Sequence, residues 1–340
     1  MILYTYKFRL LPNKDQVARL NQHFGGCRFV YNYFLGQRIK LYQEKNEQSN
    51  FYKDCESLTK IKKDLIWIND INSQSLQQEL KNLDQAYKGF FSKQKGFPKF
   101  HSKHKDKQSF RVPQSIQIKN SNICFGKFRD GISLKLHRPI EGKIKFATIS
   151  KNRSGQYFAC VCVEKEIPKL KTKNNVVGVD LGIKSLVTGS NGEIFSNLKP
   201  FKSLQNRLCK LQQSFSKKKL GSHNRTKAKN LVAKLYQKIT NIRSNHLHQV
   251  SKSLINENQV IVLEDLNVKG MMKNRKLAKS IADVSLSELI RQIEYKAGWY
   301  GREIIKIDRW YPSSKTCHVC NWINEGLTLN DREWTCPRCK

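Results

Sequence analysis

The sequence predicts an α+β chain built from several domains, and three features carry that expectation. Residues 111 to 166 consist of short alternating segments broken by turns, among them I-S-L-K-L, I-K-F-A-T-I and Y-F-A-C-V-C-V, the pattern of an antiparallel sheet rolled into a small barrel. Two apolar strands that each end in an acid, V-V-G-V-D (176–180) and Q-V-I-V-L-E (259–264), are separated by two helical patterns. The C-terminal stretch holds two Cys-x-x-Cys pairs at the spacing of a metal ribbon.

Composition bounds the function. A chain of 340 residues has room for two or three domains with a real core, and 39% hydrophobic with 10% aromatic residues fits a folded protein rather than a disordered one. Sixty-three basic against 27 acidic residues leave a net charge of +36, which makes a polyanion the expected partner; nucleic acid then binds through counterion release. Membrane attachment is the weaker alternative, because no apolar run approaches the ~20 residues of a spanning helix. The N-terminus M-I-L-Y-T-Y-K-F-R-L-L-P reads as a strand and not as a secretion signal, so the cytosol or nucleoid of a prokaryote is the expected setting.

Residues 2 to 10 alternate apolar and basic side chains and put Lys7 and Arg9 on one face of a strand that Pro12 ends. Asn13 is placed to cap a helix to about His23, with Val17, Leu20 and Phe24 at helical spacing. Gly25-Gly26 is expected to break it, and C-R-F-V-Y-N-Y-F-L to start a second helix. In that helix Phe29, Tyr31, Tyr33 and Phe34 read as core, with base stacking the alternative for one or two. Residues 41 to 70 are polar and carry no clear pattern. Asn72-Ser73 caps a further helix with Leu76, Leu80, Leu83 and Tyr87 on one stripe. The stretch K-Q-K-G-F-P-K-F-H-S-K-H-K-D-K-Q-S-F then interleaves Lys and His with Phe97, Phe100 and Phe110, and Lys99 and Lys103 are candidates for contact with a nucleic-acid backbone. A solvated basic loop with aromatic anchors in the core is the plain alternative.

K-L-K-T-K-N-N (169–175) links the alternating region to the strand that bears Asp180. No acidic residue occurs between Glu193 and Glu257. Two helical patterns lie there, Leu204, Leu208 and Leu211, then Leu231, Leu235, Ile239 and Ile242, joined by S-K-K-K-L-G-S-H-N-R-T-K. Solvated charge runs normally mix signs, so an acid-free hairpin with a basic tip should touch phosphate, through Lys217, Lys218, Lys219 and Arg225. After Glu264 a basic loop precedes a helix from Ser285 to about Tyr300 and a strand, E-I-I-K-I-D.

An apolar strand ending in a carboxylate presents an acid at the lip of a sheet. Asp180 and Glu264 are two such acids in a very basic chain, which suggests divalent ions at a phosphodiester: a pair of Mg²⁺ ions held by carboxylates activates water and stabilises the leaving oxygen. Strands of α/β proteins also end in Asp or Glu without catalysis, and the pattern alone does not separate the two. The thiols are more specific. Cys317 and Cys320, then fifteen residues, then Cys336 and Cys339, form two knuckles for tetrahedral Zn²⁺; four thiolates leave no open position, so the ion is structural. His318 is surplus to that set. Cys27, Cys55, Cys124, Cys160, Cys162 and Cys209 are scattered and read as reduced thiols.

Taken in order, these segments resemble the TnpB (OrfB) proteins of bacterial insertion sequences. The resemblance spans essentially the whole chain and rests on Y-K-F-R-L-L-P-N-K, G-G-C-R-F-V-Y-N, G-F-P-K-F, G-V-D-L-G-I-K, V-L-E-D-L-N-V-K, Y-K-A-G-W-Y-G-R-E-I-I-K-I-D, P-S-S-K-T-C-H-V-C and W-T-C-P-R-C. It implies an RNA-guided DNA endonuclease. Its parts would be a wedge (WED) β-barrel from 1–10 and 95–170, a helical recognition (REC) insertion at 11–94, a RuvC-like domain of RNase H fold at 171–310, and a zinc ribbon at 311–340. Asp180 then matches the first catalytic acid and Glu264 the second. A guide RNA encoded at the transposon end and a double-stranded DNA target with a short adjacent motif are the implied partners, with sequence read by base pairing. A transposase encoded by the same element is a further candidate partner.

Two departures qualify the resemblance. The usual Gly after each knuckle is replaced by Asn321 and Lys340, and the family's third catalytic Asp follows the ribbon, whereas this sequence stops at Lys340. Loss of one carboxylate of three should leave the metal pair poorly held, so cleavage by the 340-residue chain is expected to be abolished or severely reduced. An RNA-guided protein that occupies DNA without cutting is therefore the second reading. A transposase-type protein acting at transposon ends without RNA ranks last, because the acid-free hairpin and basic barrel resemble a large RNA surface.

Overall fold

Alternation in the first residues makes strand β1 (Ile2–Leu11), which buries Tyr6, Phe8 and Leu10 on one face and leaves Lys7 and Arg9 exposed on the other. The structure, a computed structural model, describes residues 1–308, 311–312, 315–327, 331 and 333–340. These fall into two units, Met1–Ile167 with Lys218–Lys234, and Pro168–Lys217 with Leu235–Lys340.

In the first unit β1 is joined by β2 (Gln108–Val112), β3 (Ile116–Lys119), β4 (Asn122–Phe125), β5 (Phe128–Lys135), β6 (Lys143–Lys151) and β7 (Tyr157–Lys165). All pairings are antiparallel, in the order β2-β6-β7-β1-β5-β4-β3. The N-terminal strand is central, with Tyr6 opposite Val161 on β7 and Leu10 opposite Leu134 on β5. The barrel expectation needs one correction. Strands β2 and β3 stand at opposite ends of the ladder, yet only Pro113, Gln114 and Ser115 separate them, a link of roughly 14 Å at full stretch. The sheet therefore curls until its edges approach, but among the described residues no ladder closes it. Pro113, with no N–H to donate, ends β2 just where closure would continue.

Helix α1 (Lys14–Lys45) starts at an Asn13 capping box, in which Gln16 N–H donates to Asn13 Oδ1 at 2.8 Å. It runs unbroken through Gly25-Gly26, contrary to the break read from the sequence. The physical reason is proximity: a Cβ built on Gly26 would lie 1.9 Å from Ile71 Cδ1, so the glycine admits a neighbour rather than ending the helix. Tyr31 and Phe34 are buried and Phe29 and Tyr33 pack on the same core. The unreadable stretch folds as α2 (Phe51–Asp64), capped by Asn50, and a short 3₁₀ helix, Ile66–Asp70. A buried ion pair, Arg38 to Asp54 at 2.6 Å, helps hold α2, which an apolar-periodicity reading does not register. Helix α3 (Ser73–Phe91), capped by Asn72, buries Leu76, Leu80 and Leu83 completely. Of the three rings in the basic loop, Phe110 is core whereas Phe97 and Phe100 are exposed.

The second unit opens with β8 (Val176–Asp180), β9 (Ser185–Gly189) and β10 (Ile194–Ser196). Helices α4 (Pro200–Ser216) and α5 (His223–Glu257), the latter belonging to the first unit up to Lys234, lead to β11 (Val260–Glu264). Helices α6 (Val268–Met271), α7 (Ala278–Val284) and α8 (Leu286–Tyr300) then lead to β12 (Glu303–Ile307). The sheet order is β10-β9-β8-β11-β12, with β8, β11 and β12 parallel and β9 antiparallel to its neighbours. Val177, Val179, Ile261 and Leu263 form a core with Leu247, Val250 and Leu254 of α5 and Leu289 and Ile293 of α8. Leu235 and Ile239 are buried as their spacing implies, but Leu231, one turn nearer the tip, is 51% exposed, beyond the stretch where the stripe is covered. Among the described residues no helix is long and apolar enough to cross a membrane.

Candidate functional site

The parallel register decides where the two acids meet. Val260 to Leu263 of β11 pair residue by residue with Val176 to Val179 of β8, so Glu264 and Asp180 each follow the last paired couple, Leu263 and Val179. Adjacent strands lie about 4.8 Å apart, and both carboxylates therefore leave the same C-terminal lip of the sheet. Buried Val177, Val179, Ile261 and Leu263 clamp the strands from the core side, while Asp180 is exposed and Glu264 half-buried. On the other side of β11, Glu264 is in register with Ile307 of β12, which brings Asp308 to the same lip. Asp308, the last residue of E-I-I-K-I-D, had no role assigned from the sequence; its position one residue past a strand end is the signal that could have singled it out.

Among the described residues one group of three or more metal-ligand side chains converges, and it is the cysteine quartet, with all four sulfurs within 4.8 Å of one another. The carboxylates at the sheet lip form no such group. Cys317 Sγ lies 3.5 Å from Cys339 Sγ, and Cys320 Sγ 3.6 Å from Cys336 Sγ, too far for disulfides. A tetrahedron with bonds of about 2.3 Å has edges of about 3.8 Å, so these sulfurs fit a single thiophilic ion. Both knuckles form despite the missing glycines: Asn321 and Lys340 adopt left-handed backbone at φ 57° and 54°, and their N–H groups donate to Cys317 O and Cys336 O. Backbone N–H groups of Cys320 and Val319 hold the Cys317 thiol down to about 6, while the hydrogen bonds that the Cys339 thiol donates to Cys317 and Cys320 push it up to about 12. Cys317 is thus the first of the four to ionise, and its neighbours follow once a cation compensates them. Ser313 and Ser314, in the motif before the first knuckle, lie outside the described residues.

The basic candidates come from three segments of the chain. Lys7 and Arg9 point outward from β1, with Lys7 Nζ 4.7 Å from the centre of the Phe158 ring. Lys99 and Lys103 are exposed in the loop between α3 and β2. Lys217, Lys218 and Lys219 are exposed where α4 turns into α5. Arg225 differs: it is half-buried, and its Nη1 donates to the Lys218 carbonyl at 2.7 Å, so it braces the turn that presents the lysines.

One buried carboxylate escaped the sequence reading. Asp283 of α7 accepts the backbone N–H groups of Phe201 and Lys202 at the start of α4, at 3.0 to 3.2 Å, and Arg243 Nη2 of α5 at 3.0 Å. It is a helix cap supplied from about eighty residues away, which no local motif could reveal.

Known proteins resemble the chain along nearly its whole length. The family profile OrfB_IS605, described as "Probable transposase", matches residues 159–275; "Cas12f1-like, TNB domain" matches 287–340; and "Helix-turn-helix domain" (HTH_OrfB_IS605) matches 1–47. Over that last range the structure has a strand and a single helix. The chain is 37% identical to a Streptomyces pristinaespiralis protein named "Putative RNA-guided DNA endonuclease", over 98% of this chain and 84% of that one. It is 30% identical to the Escherichia coli protein "Putative RNA-guided DNA endonuclease InsQ", over 98% and 87%. Among solved structures, the fold matches a chain from the cryo-EM structure of the Cas12f1-sgRNA-target DNA complex, with TM-score 0.57, 15% identity, and coverage of 99% and 96%.

Proposed function

The chain belongs to the TnpB (OrfB) family, and on that footing we propose that it is an RNA-guided DNA endonuclease. A guide RNA from the transposon end is bound by the protein and selects a double-stranded DNA site by base pairing. The observation that carries the cleavage role is the register that sets Asp180 beside Glu264 at one lip of a mixed sheet. In this reading residues 171–310 are the RuvC-like domain, the curled sheet of 1–10 and 95–170 is the wedge barrel, 11–94 is the recognition insertion and 311–340 the zinc ribbon. The sheet supports that division, since β1 pairs with β5 and β7 across more than 110 residues of intervening chain.

Asp180 and Glu264 are the residues that would hold Mg²⁺ ions, whose charge activates water and steadies the departing oxygen. The two side chains contribute a fixed anionic edge next to a phosphodiester that the basic surfaces would otherwise hold without orienting. Cys317, Cys320, Cys336 and Cys339 hold Zn²⁺, which cross-links a segment whose described residues have little secondary structure of their own. Lys7, Arg9, Lys99, Lys103 and the Lys217–Lys219 tip contact nucleic-acid backbone, with Arg225 positioning the tip. The cytoplasm, close to the nucleoid, is where such a protein would work.

The test is cleavage of a plasmid target by the chain carrying RNA co-purified from its native locus, with Mg²⁺, beside Asp180→Ala and a gel shift on the same target. Cutting that Asp180→Ala abolishes supports the reading. Tight guided binding without cutting, the outcome expected if the third acid is indispensable, replaces the endonuclease assignment with a protein that occupies DNA.

A further inference from the structure

A further buried carboxylate, Glu79, lines a cavity of about 310 Å³ between α1, α3 and the loop that follows α3. That volume lies at the lower end of small-molecule sites, which run from roughly 300 to 1,000 Å³. Glu79 is 8% exposed. Its Oε2 accepts from Asn82 Nδ2 at 3.1 Å, and Asn82 Oδ1 is in turn occupied by Gln78 Nε2 at 3.0 Å. Each carboxylate oxygen has two acceptor sites, so this single bond leaves most of the carboxylate's capacity unused. Burial pushes its pKa up to about 7, the mark of an anion short of donors.

The rest of the cavity is made for a flat, strand-linked group. His101 lines it; one face of its ring is covered by Tyr31, at 3.9 Å between centroids and 7° between planes, while the residue itself is exposed. The backbone of His101 is pinned both ways to Asn32, donating to Oδ1 at 2.7 Å and accepting from Nδ2 at 2.9 Å, so the ring is held in place. Burial and the nearby Arg28 keep the imidazole pKa low, which leaves a neutral ring able to stack. Arg28 and Lys107 also line the cavity, and neither forms an ion pair among the described residues. Asp106, at the same rim, is engaged by the Ser102 N–H.

We propose that this cavity receives one unpaired guanine of a bound RNA strand, its N1–H and N2–H₂ edge donating to the Glu79 carboxylate, its ring stacked on His101 and its phosphates beside Arg28 and Lys107. Guanine alone among the four bases offers two adjacent donors and no acceptor between them to that carboxylate. Uracil places carbonyls on both sides of its single N–H, and adenine and cytosine pair a donor with an acceptor that the carboxylate repels. RNA is favoured over duplex DNA because unpaired RNA bases are the ones splayed out and stacked on aromatic side chains. The proposal rests on the RNA-binding reading above.

The probe is a fluorescein-labelled oligouridine 12-mer with one central guanosine, compared with inosine, adenosine or cytidine at that position and with the matching deoxy series, titrated into the full chain. The guanosine strand should bind roughly tenfold tighter than the adenosine one, and inosine, which lacks the 2-amino group, should fall between. Glu79→Gln should level the series while leaving affinity for plain oligouridine unchanged. Equal binding of all bases by the unsubstituted chain overturns the proposal, as does a preference confined to the deoxy series. Failure to bind any RNA, the co-purified RNA included, sinks the RNA-guided reading itself.

Discussion

Replacing Glu79 by Gln should stabilise the first unit, by an amount that depends on pH. The ordinary glutamate pKa of 4.5 rises to about 7 in the folded chain, chiefly through burial. Between those values the folded chain keeps a proton that the unfolded chain has released. Unfolding therefore loses a proton in this window, and stability falls as pH rises through it. A rise of this size corresponds to roughly 3 kcal/mol once both states are ionised. Gln carries the same shape with no charge to desolvate and can still accept from Asn82. The stability gap between Glu79→Gln and the unsubstituted chain should be small near pH 4.5 and should widen by about 2 kcal/mol between pH 5.5 and 8. Hydrogen exchange of peptides covering α3, compared between the two proteins at the same pH so that intrinsic rates cancel, reads this gap locally. The protection ratio should grow roughly 30-fold over that interval. A ratio that stays flat with pH would refute the reasoning, because it would mean that the carboxylate is hydrated or already ion-paired in the folded chain.

Three further outcomes follow from the geometry. The purified chain should carry one Zn²⁺ per molecule by elemental analysis and Cys336→Ser none; full metal content in that variant would remove Cys336 from the site. Gly26→Ala should destabilise by about 1–2 kcal/mol although helix propensity alone favours Ala by about 1 kcal/mol, since the new methyl overlaps Ile71 Cδ1. Repeating it in an Ile71→Val background, where that methyl is gone, should recover most of the loss in urea melts. Replacing Lys217, Lys218 and Lys219 by Ala should lower the salt dependence of RNA binding, log K against log salt, by a slope of roughly 2, as three lost phosphate contacts on a single strand require; an unchanged slope would place the tip away from nucleic acid.

Much of the molecule was legible in the chain because the signals are local. Alternation marked β1 and the strands up to β7. Asn13 and Asn72 announced their helices through side-chain oxygens that accept N–H groups within three residues. The knuckle spacing located the metal ribbon, and two apolar runs ending in acids marked Asp180 and Glu264. Misreadings arose where a residue's role depends on a distant neighbour. Gly26 looked like a helix breaker because Ile71, which needs the space, is 45 residues away. Leu231 looked inward because periodicity does not tell how far along a helix the covering layer extends.

The sequence by itself determined the candidates for the site, acids at strand ends, four spaced thiols and an acid-free basic hairpin, and the family to which the chain belongs. Only the tertiary structure decided their company. Parallel pairing set Asp180 beside Glu264 and brought Asp308 to the same edge, curling drew the ends of the first sheet together, and packing of α3 left Glu79 facing a cavity with one bonded partner. The physical reason is that strand register, cavity walls and the desolvation of a charge are properties of pairs of segments. They arise only when parts of the chain far apart in sequence exclude water from one another.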